Sequence, residues 1–561
     1  MDSDAARGSL ALNENDAMTN DVLDVAIVGG GVAGVYSGWR LLGADAPTSA
    51  PPEQRRVALF EMSDRVGGRL LSVKPPGMPH VTCELGGMRY ISTHTLCRSL
   101  VENVLKFGVH DFPTSLPGNI CYLRNKRLRF SDLTDATKVP YNLEDVEVGQ
   151  DPGTLLLFAL RQLVPDIDKL SDAQFDDVYR NFRIDGRHLY ELGFWNLLLR
   201  VVSGEAYELI QDSSGYYSIT TNWNAGDALG MCLGDFAPGI TYHGLNDGFE
   251  SVPRALSDRF IKAGGSIRTG HRLESFDRTT LPDGTTGVRL ELVTPAGKQT
   301  VLARHLVLAM PRRSLQLLSQ TGCLLDPKHK DVHNLIDSVE GIPLFKVFLA
   351  YHTPWWETVG VTAGRSTTTL PLRQCYYWGV EGRQPGAKPE NQNAVLLASY
   401  EDVRETFFWS GLESTASFHP DLYQEQPNPF TSSQGGDDSW KRYQAPRLMV
   451  EETHRQLMSL HGLRYAPPPY AATYRNWLED PFGGGVHFWN IGYNSLDCIP
   501  RMVKPVSDAP VYVVGEAYSG TQGWVEGALE TSEIMLQSHF GLQKPSWVTP
   551  PAPAPAPGPK A

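Results

Sequence analysis

The chain of 561 residues contains 41% hydrophobic and 20% charged residues, proportions typical of an ordinary soluble globular protein. Its 63 acidic residues outnumber its 50 basic residues, and the resulting net charge of −13 argues against nucleic acid or an anionic membrane as a partner. The length is too great for a single hydrophobic core and predicts two or three domains.

The first 20 residues are polar and acidic, and we expect them to form a disordered lead without the apolar run of a signal peptide. No apolar stretch approaches the length of a membrane span, so we expect no membrane contact. The seven cysteines form no C-x-x-C pair and their number is odd, which indicates free thiols and no metal site. These features favour the cytoplasm, although export by another route stays open.

A glycine-rich turn follows the first apolar run. The run Asp24–Val28 predicts a buried strand, and the motif Gly29-x-Gly31-x-x-Gly34 leads from it into a helix over Val35–Leu42. Gly29 would make the tight turn, Gly31 would let the backbone approach a pyrophosphate, and Gly34 would allow close packing of helix on strand. The helix N-terminus favours bound phosphate, so the turn predicts a dinucleotide site.

A second strand, Arg56–Phe60, ends in Glu61, an acid placed to accept hydrogen bonds from a ribose diol. The segment Arg65–Ser72 follows at once, and its pattern R-x-G-G-R-x-x-S resembles the second FAD fingerprint of the flavin-containing amine oxidase family. That resemblance implies that Arg69 offers its guanidinium to the pyrophosphate region.

A late signature completes the cofactor site. Strand Pro510–Val514 ends in Gly515-Glu516, and Gly523-Trp524-Val525 opens another helix. By resemblance to the family, Glu516 lies on the flavin side of the cofactor, and the helix N-terminus points at the isoalloxazine. The main chain near Leu273 would touch the adenine.

The pattern between these signatures is mixed. The region from Tyr141 to Met231 is helical, and strands around 266–276, 287–293 and 299–309 predict a three-stranded meander. The predicted class is α/β (α+β overall), with a Rossmann-like FAD-binding domain, a mixed-sheet substrate domain and a helical insertion. The expected boundaries are 1–20 for the lead, 21–74, 240–322 and 496–544 for the FAD-binding domain, 75–139 and 323–495 for the substrate-binding domain, 140–239 for the helical domain, and 545–561 for a proline-rich disordered tail.

The segment Glu84–Tyr90 carries Gly87, Met88 and Arg89. The L-amino-acid oxidases of the family carry a Met-Arg pair here, whose arginine binds the substrate carboxylate. A carboxylate suits the planar fork of Arg89, although a structural salt bridge is the alternative. Tyr400 would share that carboxylate, with Tyr376 and Tyr377 as competing candidates.

Further site residues follow from the same resemblance. Lys346 would hold a water against flavin N5 and assist reoxidation by O2, unless it lies on the polar face of an edge strand. Trp477 would contact the flavin, and Val486 or His487 would line the side-chain pocket. The Gly523 carbonyl would receive the substrate ammonium, and Trp524 would form part of the wall.

The resemblance thus implies an FAD-dependent L-amino-acid oxidase, which converts L-amino acids and O2 into 2-oxo acids, ammonia and hydrogen peroxide by hydride transfer to N5. FAD is expected to be non-covalent, because no cysteine corresponds to the attachment site of monoamine oxidases, and a homodimer is expected. An amino-acid 2-monooxygenase, a polyamine or monoamine oxidase, and a catalytically silent flavin scaffold are the alternatives. No general base is identified, and large apolar or aromatic substrates are favoured, unless Glu205, Asp227 or Glu401 reaches the pocket to bind a basic one.

Overall fold

The computed structural model describes residues 22–43, 55–235, 240–318, 330–413 and 438–550. The predicted lead at 1–20 therefore lies outside the described residues. The helices are α1 Val32–Leu41, α2 Thr95–Ser99, α3 Pro152–Leu163, α4 Asp172–Asn181, α5 Phe194–Leu198, α6 Gly204–Ser214, α7 Ala225–Asp235, α8 Ser251–Lys262, α9 Arg312–Gln316, α10 Lys330–Ile336, α11 Arg404–Ser410, α12 Asp438–Arg442, α13 Arg447–His461, α14 Ser495–Val503 and α15 Val525–Phe540.

The strands are β1 Leu23–Val28, β2 Val57–Phe60, β3 Ser72–Val73, β4 Cys83–Glu84, β5 Tyr90–Ile91, β6 Val109–Asp111, β7 Ile120–Leu123, β8 Lys126–Arg129, β9 Arg183–Ile184, β10 Arg187–His188, β11 Tyr242–Leu245, β12 Ser266–Arg268, β13 Arg272–Thr280, β14 Thr286–Thr294, β15 Gly297–Leu308, β16 Val339–Ile342, β17 Leu344–Tyr351, β18 Arg365–Thr368, β19 Gln374–Val380, β20 Ala394–Asp402, β21 Ala471–Asn476, β22 Val486–Trp489 and β23 Val511–Val513. The predicted mixed α/β class is confirmed.

The first large sheet joins both ends of the chain. Its strands run in the order β12-β2-β1-β15-β14-β13, and β23 pairs with β15. Strands β12, β2, β1, β15 and β23 pair in parallel, while β13, β14 and β15 form an antiparallel meander. The strand β1 is buried along Val25–Val28, as expected for a parallel strand with both faces covered.

Helix α1 packs between this sheet and the last helix. Every residue of α1 is buried, including Arg40, whose Nε donates to Glu533 of α15 at 2.8 Å. The hydroxyl of Tyr36 donates to the same carboxylate oxygen at 2.6 Å. A buried, hydrogen-bonded ion pair therefore fixes the first helix against the last one.

The second large sheet has the order β21-β17-β20-β19-β18-β7-β8. Strand β17 lies inside it and is buried at each of its eight positions, Lys346 included. Helices α3 to α7 form a separate cluster of buried side chains, built largely from Leu155, Leu197, Leu209 and Leu229. This helical cluster contacts the second sheet through residues such as Tyr400.

The predicted meander differs from the structure in one strand. The run 266–276 forms two strands, β12 and β13, because β12 pairs in parallel with β2 while β13 pairs antiparallel with β14. Gly270, with φ of +68°, lies in the turn between them. The chain therefore changes sheet partner within what the apolar pattern presents as one strand.

The start of the proline-rich tail is bound to the protein. Arg98 Nη2 donates to the carbonyl oxygens of Thr549 at 3.0 Å and of Pro550 at 2.7 Å. The ring of Trp547 lies 6.4 Å from that of Trp39. The prediction of disorder from residue 545 onward is therefore wrong for 545–550, while 551–561 lie outside the described residues.

Six cysteines in the described ranges are buried and free, and Cys323 lies outside those ranges. Among the described helices, none is both long and apolar enough to cross a bilayer.

Candidate functional site

A cavity of about 750 Å³ runs between the first sheet and the second sheet. It is lined from both ends of the chain and from the helical region, which is the arrangement that the glycine signatures predict. Predicted residues on its wall are Gly29, Gly31, Glu61, Arg69, Gly87, Met88, Arg89, Leu273, Lys346, Tyr400, Trp477, Glu516, Gly523, Trp524 and Val525.

The three glycines of the first turn have different surroundings. A Cβ on Gly29, where φ is +111°, would lie 2.2 Å from the carbonyl oxygen of Ala309, and one on Gly34 would lie 2.0 Å from that of Gly29. A Cβ on Gly31 would meet no heavy atom within 4 Å. Gly29 and Gly34 therefore serve protein packing, while Gly31 leaves open space beside the N-terminus of α1.

Glu61 stands at the end of β2 on the cavity wall. Its Oε2 accepts from the backbone N–H of Gly30 at 2.7 Å, and its Oε1 accepts from the backbone N–H of Ser63 at 2.8 Å. These bonds hold the carboxylate next to the glycine turn, in the position that a ribose-binding acid occupies after the second strand of a dinucleotide fold.

Glu516 is the centre of a buried charged network. Its Oε2 lies 2.7 Å from Arg69 Nη1 and 3.0 Å from His487 Nδ1, and its Oε1 accepts from the backbone N–H of Gly523 at 2.8 Å. Burial alone would raise the pKa of Glu516, but the charge of Arg69 and the contact with His487 outweigh it and lower the pKa to about 2. Glu516 is thus held in its ionised form, and it links Arg69 of the segment Arg65–Ser72 to Gly523 of the late signature.

His487 does not line the cavity. It belongs to β22, in which successive side chains point to opposite faces, so Val486 and Phe488 face the cavity while His487 turns towards Glu516. Its side chain is fully buried. The prediction of His487 as a substrate contact therefore gives way to Val486, the other candidate at this point.

Lys346 reaches the cavity from the buried strand β17. Its Nζ donates to the carbonyl oxygens of Glu84 at 3.1 Å and of Gly86 at 2.5 Å, and it lies 4.7 Å from the centre of the Tyr400 ring. Burial lowers the pKa of Lys346 to about 7, against the opposing effect of Glu84. The edge-strand alternative is wrong, because β17 is paired on both sides.

Trp477 lines the same wall. Its indole Nε1 donates to the carbonyl oxygen of Leu85 at 2.7 Å, and Arg475 lies 5.0 Å from its ring centre. The ring is therefore held in place at the cavity by a hydrogen bond and a cation–π contact.

Arg89 lies in an aromatic cage. Its guanidinium carbon is 4.4 Å from the ring centre of Tyr242 and 5.5 Å from that of Phe112, and its Nη1 donates to the hydroxyl of Tyr376 at 3.2 Å. Within the described ranges, Arg89 forms no ion pair with a carboxylate. The described residues therefore do not give Arg89 the structural salt bridge that the sequence leaves open as an alternative.

Tyr376 and Tyr400 lie in different surroundings. Tyr376 bonds to Arg89, whereas Tyr400 lines the cavity and packs edge-on against Tyr216 at 5.4 Å between ring centres. Tyr377 instead contacts Ser366 and His461, away from Arg89. Tyr376 and Tyr400 thus both remain candidates for the substrate end.

Asp235 is a cavity residue that the sequence analysis missed. It is the last residue of α7, and its Oδ2 accepts from Trp524 Nε1 at 2.6 Å. Burial raises the pKa of Asp235 to about 7, against the opposing effects of Trp524 and Arg89. The sequence signal for Asp235 is its spacing of four residues from Met231, which lines the cavity one helical turn earlier on α7.

The three acids that the sequence offers for a basic substrate lie elsewhere. Glu205 is paired with Arg124 near the surface, at 2.7 Å. Asp227 accepts from Tyr179 and Ser495, and Glu401 accepts from Ser399 at 2.6 Å. None of the three is on the cavity wall.

Known proteins are similar to this chain over most of its length. The model of the family described as flavin containing amine oxidoreductase matches residues 32–534. Aplysianin-A from Aplysia kurodai is 27% identical over 551 residues, which cover 94% of this chain and 92% of that protein. An L-amino-acid oxidase from Bungarus fasciatus is 24% identical, covering 94% of this chain and 89% of its own length.

Among solved structures, putrescine oxidase bound to putrescine superposes with a TM-score of 0.63 at 15% identity. The superposition covers 93% of this chain and 100% of the solved one. At this level of identity the likeness shows a shared fold.

The cavity fits a flavin dinucleotide. Helix α1 begins after Gly31 and α15 begins after Trp524. Neither N-terminus carries a side-chain cap, and both reach the cavity wall. Uncapped N–H groups at a helix start suit phosphate or a reduced flavin ring. The open space at Gly31, the acids at positions 61 and 516 and the family match over most of the chain lead to one conclusion: this chain belongs to the flavin-containing amine oxidoreductase family and uses FAD.

Proposed function

We propose that this protein is an L-amino-acid oxidase, in which Arg89 binds the substrate carboxylate. The observation that carries the proposal is an arginine on the cavity wall without a carboxylate partner among the described residues. The aromatic rings around it supply no negative charge. A bidentate carboxylate is the ligand that the planar guanidinium fork fits best.

Bound FAD, which Gly31, Glu61 and Glu516 would help to hold, would supply the redox chemistry, namely hydride acceptance from the substrate Cα and two-electron reduction of O2. The substrate thereby becomes an imino acid, which water hydrolyses to a 2-oxo acid and ammonia, while O2 becomes hydrogen peroxide. The protein contributes mainly by positioning, since holding the Cα–H in a fixed geometry removes most of the orientational entropy of the step.

The tyrosines and Gly523 support this positioning. The Tyr376 hydroxyl accepts a hydrogen bond from Arg89 Nη1, and we propose that Tyr400, on the cavity wall, shares the carboxylate. The backbone N–H of Gly523 donates to Glu516 and so anchors the residue whose carbonyl oxygen we propose as the ammonium acceptor. Lys346, whose Nζ donates to two backbone carbonyl oxygens, would in its protonated form provide a positive charge that favours electron transfer to O2.

Replacement of Arg89 with Ala tests the proposal. We expect kcat/KM for L-amino acids to fall by a factor on the order of 10² to 10³, because the substrate carboxylate loses its partner in a closed site. A matched control is Arg442→Ala, since Arg442 also lines the cavity but is paired with Asp64 at 2.8 Å. Peroxide release measures both variants.

The control should stay within about threefold of the wild type, as expected for an exposed ion pair. Unchanged turnover in Arg89→Ala, at normal FAD content, would refute the role of Arg89. Product analysis separates the monooxygenase alternative, which releases CO2 and an amide in place of a 2-oxo acid and ammonia.

A further inference from the structure

The helical insertion places one acid at the cavity, the carboxylate of Asp235 at the end of α7. The side chain is more than nine-tenths buried, at 8% exposure of the residue. Trp524 Nε1 donates to Oδ2 at 2.6 Å, whereas Oδ1 receives no hydrogen bond from the described residues. A buried carboxylate with one neutral donor is incompletely satisfied, and a cation is the partner that would stabilise its ionised form.

Arg89 does not serve as that cation. Arg89 and Asp235 form no ion pair in the described structure, although the charge of Arg89 lowers the pKa of Asp235 against the effect of burial. Tyr242 contacts both residues: its ring face lies 4.4 Å from the Arg89 guanidinium carbon, and its hydroxyl donates to the backbone carbonyl of Asp235 at 2.7 Å. The cavity therefore presents a positive group and a negative group to the same ligand.

Apolar side chains line the same cavity as Asp235. Met231 lies one helical turn before it, and Ile219 and Val486 add branched apolar surface. Such a wall suits methylene groups that lead from the reacting carbon to a charged end.

We propose that Asp235 binds the side-chain cation of the substrate, so that the preferred substrates are L-amino acids ending in an ammonium or guanidinium group. The inference rests on the proposed function, in which Arg89 binds the α-carboxylate and the Gly523 carbonyl binds the α-ammonium. With both α-groups occupied, the carboxylate of Asp235 is free for a second positive group. It is a substrate-binding residue that sets specificity.

The test compares L-lysine with L-norleucine, which has the same carbon chain without the terminal ammonium. For the wild type we expect kcat/KM to favour lysine by at least about thirtyfold, the lower range for a buried charge pair. Asp235→Asn should remove most of this preference by lowering the lysine value, with the norleucine value within about threefold. Peroxide production by FAD-loaded enzyme gives all four values.

Asp227→Asn is the matched control. Asp227 lies on the same helix and is a partly buried carboxylate, but it bonds to Tyr179 and Ser495 away from the cavity. Its replacement should leave the ratio of lysine to norleucine unchanged. Asp235→Glu, which keeps the charge, should retain a preference for lysine.

Three outcomes have distinct meanings. Equal wild-type kcat/KM values for lysine and norleucine overturn the inference without any variant. An equal loss on both substrates in Asp235→Asn also overturns it, because Asp235 would then bind the α-ammonium or support the structure. No peroxide from any L-amino acid overturns the proposed function itself. A lysine preference that disappears only in Asp235→Asn supports both.

Discussion

Gly31 and Gly34 stand three residues apart in the first turn, yet their missing Cβ atoms serve different purposes. The Cβ of a residue at 31 would enter open space at the cavity, while one at 34 would strike the Gly29 carbonyl at 2.0 Å. Ser is a favourable N-cap residue, so Gly31→Ser should leave the apoprotein as stable as the wild type. Its side chain would occupy the phosphate space, and we expect FAD affinity to fall by tenfold or more.

Gly34→Ala provides the comparison. Overpacking against a backbone carbonyl should destabilise the apoprotein by about 1–3 kcal/mol or more and lower its melting temperature. Titration of the two apoproteins with FAD and thermal melts separate the effects. Equal loss of melting temperature in both variants would contradict the assignment of Gly31 to cofactor space.

Glu516 gives a pH-dependent prediction. Its pKa in the folded protein, about 2, is below the ordinary value of 4.5, so its ionised form stabilises the fold fully above about pH 4.5 and loses this effect as the pH falls towards 2. The difference corresponds to roughly 3 kcal/mol at about 1.4 kcal/mol per pKa unit. Glu516→Gln should therefore lower the melting temperature at pH 7.

The same substitution should have a smaller effect at pH 3, where the wild-type carboxylate has lost part of its advantage. Thermal melts of wild type and Glu516→Gln at both pH values measure this. A difference in melting temperature that is the same at both pH values would show that the Arg69, His487 and Glu516 network does not act through charge.

The sequence predicts individual site residues well where a motif fixes them. Resemblance to the family points to Arg89 and Lys346, and both lie on the cavity wall, while their roles stay predictions. His487 was misplaced because the register of a four-residue strand decides which of two neighbours faces inward. Asp235 was missed because the helical insertion carries no motif, and the position of a helix end over a distant cavity is a tertiary property.

Secondary-structure elements are harder to predict where one strand pairs with two different strands. Strand β15 pairs in parallel with β1 through Ala303–Leu308 and antiparallel with β14 through its first half. Its apolar pattern indicates a strand but does not state how many partners it has. Because the apolar pattern does not show pairing partners, it also predicts β12 and β13 as a single strand.

The bound part of the tail is an element that composition alone describes wrongly. Proline-rich sequence favours an extended chain, but Trp547 gains a ring contact with Trp39, and Thr549 and Pro550 accept hydrogen bonds from Arg98. Truncation after Lys544 should lower the melting temperature by a few degrees, because a partly buried aromatic side chain is lost.

Truncation after Pro550 is the control, since it keeps all of these contacts and should leave the melting temperature unchanged. Neither truncation should alter kcat/KM, because the contacts lie away from the cavity wall. Equal melting temperatures for both truncated proteins would show that the tail contacts contribute nothing to stability.

At the scale of the whole molecule, the cavity depends on segments that are far apart in sequence. The ion pair of Arg40 with Glu533 holds the first helix to the last, and the network around Glu516 joins Arg69 to Gly523. The mixed α/β class follows from sequence pattern, whereas these long-range contacts do not, because their partners are separated by several hundred residues. The predicted domain boundaries, homodimer and cytoplasmic location stay predictions.

We propose that this member of the family oxidises amino acids because Arg89 binds their carboxylate. The most direct test measures peroxide release by FAD-loaded wild-type enzyme from each L-amino acid and from the amine that remains when its carboxylate is removed. A bound carboxylate should favour each amino acid that is a substrate over its amine by about a hundredfold or more in kcat/KM. Turnover of the amines at equal or higher kcat/KM would contradict the account and identify an amine oxidase.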